Sequence, residues 1–218
     1  MIVGGVHGNE VAGARAAGRI RRWKIVRGKL IVLPRANVPA LTARKRGDPN
    51  EPAETRDLNR NFPRRGGPDK PKGAAAEAIW KLLERTKPDW LADLHEGIDY
   101  RKTGSKSCGG SIIRTDTEPV KRIAKAMLDA VNETIDEPAH QLVALTGPVR
   151  GSLARAAWER LGVKAMILET CRKDKLAVRV AQHERMVRVL LADLRMIGQQ
   201  EQARREGATS QRREEPRR

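Results

Sequence analysis

Aromatic residues are scarce in this chain: four Trp, one Tyr and one Phe make up 3% of 218 residues. That scarcity argues against a protein that grips single-stranded nucleic acid by stacking bases on rings. Cysteine is nearly as rare, and Cys108 and Cys171 alone make no disulfide framework. No apolar run approaches the roughly 20 residues that a membrane-spanning helix needs. No basic leader followed by an apolar stretch opens the chain either, so a cytoplasmic protein without a membrane partner is expected. Acids are outnumbered by bases, 27 to 44, for a net charge of +17. The imbalance is local: residues 11–50 hold eleven Lys or Arg against the single acid Asp48. Much of it falls on a predicted helix, Val11–Trp23, where Arg15, Arg19 and Arg22 share one face. Such a face is either simply solvated or turned toward an acidic partner. A catalytically inactive basic protein that contacts nucleic acid or acidic partners is therefore the alternative to the catalytic reading developed below.

Short β-branched runs alternate with helical stretches along the chain. Strands are predicted at Met1–Gly4, Lys29–Pro34, Asp89–His95, Ser111–Arg114, Gln141–Leu145 and Val163–Leu168. Helices are predicted at Asn9–Trp23, Ala74–Thr86, Thr115–Asn132 (capped by Thr115 or Asp116), Gly151–Leu161 and Lys175–Ile197. Thr42–Gly73, rich in Arg, Gly, Pro, Asp and Asn, reads as a long loop, and loops of that length are usually functional or disordered. The pattern predicts an α/β fold: a mixed, largely parallel twisted sheet flanked by helices. One domain over 1–198 and a disordered charged tail over 199–218 are expected, since the tail has no aliphatic residue beyond alanine. Only six residues precede His7, so either the sheet lacks an N-terminal strand or the natural N-terminus is longer.

Three polar clusters follow predicted strands, at the ends where open α/β sheets gather ligand-binding groups. They are His7-Gly8-Asn9-Glu10, His95-Glu96-Gly97 and Glu169-Thr170. Two imidazoles and a carboxylate suit zinc with a fourth position open, and a separate carboxylate beside that position can act as base and then acid. Each cluster alone has an ordinary explanation: a polar turn, a hydrogen-bonded histidine, a helix cap. Their joint occurrence at strand ends favours a metal site.

A fourth element lies between the first two clusters: Asp57-Leu58-Asn59-Arg60-Asn61-Phe62-Pro63. With GGVHGNE, DLNRNFP, DLHEG and ILET in this order over roughly residues 2–170, the chain resembles the zinc metallocarboxypeptidases and their succinylglutamate desuccinylase/aspartoacylase relatives. The resemblance implies a zinc carboxypeptidase-like fold, one Zn2+ per chain, and His7, Glu10 and His95 as its ligands. It implies Glu169 as the catalytic glutamate and places Asn59 and Arg60 where the family binds a substrate carboxylate. An upstream arginine that polarises the scissile carbonyl is also implied; Arg44, Arg46 and Arg56 compete, with Arg46 favoured. The expected reaction is hydrolysis of an amide next to a free carboxylate, on a peptide C-terminus or an N-acyl amino acid.

The pattern is not followed throughout. Tyr100, the single tyrosine, does not sit where carboxypeptidases place theirs, and the short spacing from His7 to His95 resembles the desuccinylase/aspartoacylase side, whereas Asn61-Phe62-Pro63 resembles the peptidase side. Peptidase and deacylase therefore both stay open, as does oligomeric state. Glu96, adjacent to His95, is a candidate supporting partner for the metal ligands, although adjacent side chains on a strand point to opposite faces. Cys171 reads as a buried small residue, His140 and His183 as surface residues, and Lys106–Ser111 as a loop lining the cleft. Arg114, Arg150 and Arg172 are candidates for a second substrate carboxylate.

Overall fold

The structure, a computed structural model, describes residues 1–101 and 107–198. The stretch expected to be a charged tail, 199–218, and Lys106 of the expected loop Lys106–Ser111 lie outside the described residues. Six strands form one sheet: β1 (Ile2–Gly4), β2 (Val32–Leu33), β3 (Trp90–Gly97), β4 (Ser111–Arg114), β5 (Val143–Thr146) and β6 (Lys164–Cys171), in the order β2-β1-β3-β6-β4-β5. All neighbours run parallel except β4 and β6, so the sheet is mixed and largely parallel, as expected. Six helices cover it: α1 (Val11–Ile20), α2 (Val38–Ala43), α3 (Ala74–Thr86), α4 (Glu118–Asn132), α5 (Leu153–Leu161) and α6 (Leu176–Asp193).

Central strands buried on both faces are hydrophobic throughout, and alternation then decides which helix layer each side chain meets. On β3 and β6, Ala92, Leu94, Met166 and Leu168 pack with α1, α4 and α6 in one core. Leu91, Ala165 and Ile167 join α3 and α5 in the other. His95 and Glu169 belong to the second set and are direct register partners. Two ligand-type side chains 74 positions apart in sequence are thereby fixed side by side by strand pairing.

α1 approaches the sheet closely because it offers small side chains, Ala12, Gly13, Ala16 and Ala17, all buried. A Cβ on Gly13 would lie 2.3 Å from the Leu94 carbonyl oxygen, a separation that only glycine allows. The opposite face of α1 carries Arg15 and Arg19, both exposed, with Arg22 exposed just beyond the helix; Arg19 lies 3.7 Å from Glu184.

Several elements differ from expectation. Helix α2 lies in a stretch to which no element is assigned and ends just inside the expected loop, and a 3-10 turn at Leu58–Arg60 interrupts that loop. Asn37 caps α2, accepting from the Ala40 N–H, and Pro39 sits in its first turn, where its fixed φ and missing N–H cost nothing. Neither Thr115 nor Asp116 caps α4, whose N-cap position is Thr117 without a side-chain cap bond. The Thr115 hydroxyl instead donates to the Ala165 carbonyl, tying this turn to β6. His183 is not a surface residue: it is fully buried on α6, its Nε2 3.3 Å from Thr170 Oγ1, and burial pushes its pKa down to about 3. His140 is half-buried and stacks on Tyr100 at 3.7 Å between ring centroids. Among the described residues no helix is long and apolar enough to cross a membrane.

Candidate metal centre and catalytic cleft

β1 ends in the turn that carries His7, and Glu10 stands at the N-cap of α1. Both reach across β1 toward His95 near the end of β3. His7 Nδ1 lies 2.8 Å from Glu10 Oε1, His95 Nδ1 lies 2.8 Å from Glu10 Oε2, and the two Nδ1 atoms face each other at 3.2 Å. Ligands about 2.0–2.1 Å from a tetrahedral zinc stand roughly 3.3 Å apart. The two Nδ1 atoms match this at 3.2 Å, and each stands at 2.8 Å from a different oxygen of Glu10, so all three groups converge on one point. Two imidazoles plus one carboxylate also match the donor set of catalytic zinc, and among the described residues these three form the cluster able to hold a metal ion.

The far ring nitrogens have carboxylates of their own. His7 Nε2 is 2.9 Å from Asp57 Oδ1, and His95 Nε2 is 3.0 Å from Asp93 Oδ2. Partners of this kind fix ring orientation and tautomer in metal-binding histidines. Asp57 belongs to the DLNR segment but carries no expected role, and Asp93 was equally unforeseen. The signal for Asp93 is simple: two positions before His95 on a strand, it shares that residue's face.

Electrostatics follow from these contacts. Burial alone would raise the Glu10 carboxyl, but the His95 and His7 charges and hydrogen bonds outweigh it and hold it well below the usual range. For His95 burial favours the neutral ring, yet Asp93 and Glu10 on either side lift its pKa well above the ordinary value. The buried carboxylates of Glu10 and Asp93 thus concentrate negative charge around two imidazoles, which favours a cation between them. Glu169 differs. Burial pushes its carboxyl up to about 7, with the His95 charge opposing and the Glu10 charge adding to the rise. A carboxyl tuned toward neutrality beside a metal-type cluster suits proton transfer. The Cys108 thiol hydrogen-bonds to it, and burial together with the Glu169 charge pushes that thiol up to about 12, so it remains protonated.

These groups border a cleft of about 580 Å3, in the range of small-molecule sites, which places His7, Glu10, Arg46, Asn59, Arg60, His95 and Glu169 on one surface. The three candidate arginines separate clearly. Arg46 reaches into the cleft, donating to Glu10 Oε1 at 3.3 Å and to Asp57 Oδ2 at 3.2 Å. Arg44 is the exposed left-handed C-cap of α2, and exposed Arg56 donates to the Glu51 carbonyl instead. Asn59 is buried, with Oδ1 accepting from the Leu153 N–H and Nδ2 3.4 Å from His95 Nε2. Arg60 is half-buried at the cleft wall and donates to the Asn59 carbonyl at 2.7 Å. Arg114, Arg150 and Arg172 do not line the cleft; Arg114 pairs with Asp116, and Arg150 donates to the Arg65 carbonyl. Tyr100 also stays outside the lining and donates to Asp174. Cys171 is buried, and Ser107 and Cys108 border the cleft.

A mixed α/β sheet with this cluster at its strand ends has the architecture of zinc carboxypeptidase-like proteins. The chain belongs to the succinylglutamate desuccinylase/aspartoacylase catalytic domain family, whose pattern it matches over residues 1–197. It is 35% identical over 103 residues to the N-alpha-acetyl-L-2,4-diaminobutyric acid deacetylase of Halomonas elongata, an alignment covering 44% of this chain and 28% of that protein. Its fold is similar to Csd4 of Helicobacter pylori, a D,L-carboxypeptidase, with a TM-score of 0.75 and 21% identity over 89% of this chain and 50% of that one. It is also similar to a succinylglutamate desuccinylase/aspartoacylase of Rhodobacter sphaeroides, with a TM-score of 0.63 and 22% identity over 90% of this chain and 55% of that one. The match thus spans about half the length of these solved structures and under a third of the deacetylase.

Proposed function

We propose that this protein is a zinc-dependent hydrolase that cleaves an amide bond next to a free carboxylate, with His7, Glu10 and His95 holding one Zn2+. The observation that carries the reading is the inward-facing trio of donors beside a separate buried carboxyl, Glu169, in one cleft. Zinc, when bound, supplies Lewis acidity that acidifies a water molecule and draws charge from a carbonyl. The protein supplies the rest. Glu169 accepts the proton of the attacking water at its carboxylate and returns it to the leaving amine nitrogen. Arg46 presents a guanidinium at the metal-side wall to stabilise negative charge developing on the carbonyl oxygen. Arg60, with Asn59 behind it, offers a planar fork of donors that pairs with a substrate carboxylate. The N-acetylated amino acid named for the deacetylase and the D,L-carboxypeptidase activity named for Csd4 are in keeping with this division of labour.

Among peptide C-termini and N-acyl amino acids, the cleft wall favours substrates with an apolar substituent. Leu145, Ile113 and Ile167 are cross-strand neighbours on β5, β4 and β6, and all three line the cleft. A screen of the zinc-loaded protein against N-acetyl amino acids and C-terminal dipeptides tests the proposal. The expected result is hydrolysis that falls about 100-fold when the substrate carboxylate is converted to an amide, since the half-buried Arg60 then loses a charge-assisted bidentate pair. Equal hydrolysis of acid and amide would contradict the role given to Arg60.

A further inference from the structure

Glu96 borders the cleft next to His95, but its buried side chain alternates to the other face of β3 and touches the start of α1, while its backbone touches Glu10. Its backbone N–H donates to Glu10 Oε2 at 3.2 Å. Its carboxylate, on the other side of β3, accepts from the Ala12 N–H at 2.8 Å. Ala12 is the second residue of α1, and that amide is one of those an N-cap side chain normally satisfies. Here the N-cap residue is Glu10, whose carboxylate is turned toward the histidines and makes no cap bond, and the first turn holds no acid. Glu96 therefore performs from a neighbouring strand the task that Glu10 has given up. An anion at this helix end is favoured by the macrodipole as well.

Glu96 is itself secured from below. Its side chain is fully buried, and Arg179 Nη1 on α6 lies 2.8 Å from both of its oxygens. A buried carboxylate without such a partner would shed its charge or move toward water. The resulting chain of contacts runs from Arg179 through Glu96 to the start of α1, and so to Glu10.

We propose that Glu96, held by Arg179, is a positioning residue for the metal centre: it caps α1 in place of Glu10 and thereby frees and fixes Glu10 as a ligand. This rests on the zinc reading above. The test measures zinc Kd by competition with a chromogenic chelator on the full chain, together with the melting temperature of the metal-free protein, for wild type, Glu96→Ala, Glu96→Gln and Arg179→Met. Glu96→Ala is expected to weaken zinc binding about 10–100-fold, the range for outer partners of metal ligands. Glu96→Gln, which keeps an oxygen for the Ala12 N–H, is expected to recover much of that loss, with Arg179→Met falling between. Should Glu96→Ala fail to fold, the other two variants carry the same comparison. A lowered melting temperature with wild-type zinc affinity in the folded variants would overturn the inference while leaving the zinc reading intact. A wild-type protein that binds no zinc would overturn both.

Discussion

Glu169→Gln is expected to lower kcat by about 10²–10⁴-fold, the usual worth of a positioned acid–base group, while zinc content stays at the wild-type level. The substitution is nearly isosteric, and Glu169 is not one of the three donors clustered at the metal site, so binding and chemistry separate cleanly. The pH profile gives a second signature. A base works only when deprotonated, so kcat/KM rises with pH through the pKa of Glu169. Burial places that pKa at about 7, and a dication bound alongside draws it lower, so the acid limb is expected below pH 7. In Glu169→Gln that limb disappears along with the activity. Retention of activity within a few-fold of wild type would remove Glu169 from the mechanism.

Gly8→Ala is the second large effect, and it acts through shape alone. A Cβ at Gly8 would lie 1.9 Å from the Ala40 carbonyl oxygen and 2.0 Å from its carbon. Both atoms are backbone, in a helix whose following turn returns to the same place: the Gly8 N–H donates to the Arg46 carbonyl at 3.3 Å. No side chain can rotate away, so either α2 lifts or the turn between His7 and Glu10 shifts. Overpacking of this kind costs typically about 1–3 kcal/mol and occasionally more. Because the glycine lies between two proposed ligands, the expected outcome is a lower melting temperature together with weakened zinc affinity, measured by thermal denaturation and chelator competition. Gly18→Ala, where a Cβ meets nothing within 4 Å, serves as the control and is expected to be neutral or slightly stabilising.

Much of the site was legible from residues because its parts stand at strand ends, where hydrophobic runs stop abruptly at His7, His95 and Glu169. Period-2 alternation then puts His95 and Glu169 on one face and Glu96 on the other, as the register shows. What stayed hidden depends on contacts far apart in sequence. Arg46 is favoured over Arg44 and Arg56, but the contacts that set it apart depend on the path of the chain after α2, a helix left unassigned although Asn37 and Pro39 signal its start. His183 read as surface because nothing local marks it; it is buried through the packing of α6 behind β6. Glu96 stands out beside His95 as a candidate supporting partner, but its contacts with Ala12 and Arg179, 84 and 83 positions away, cannot be read from the sequence.

Zinc stoichiometry tests the central claim most directly. Purified protein, stripped with chelator and dialysed against zinc, is expected to hold about one ion per chain by elemental analysis. His7→Ala, which removes one of three donors, is expected to lose that stoichiometric ion and the hydrolytic activity together. A wild-type protein without stoichiometric zinc, and a His7→Ala variant indistinguishable from it, would contradict the account.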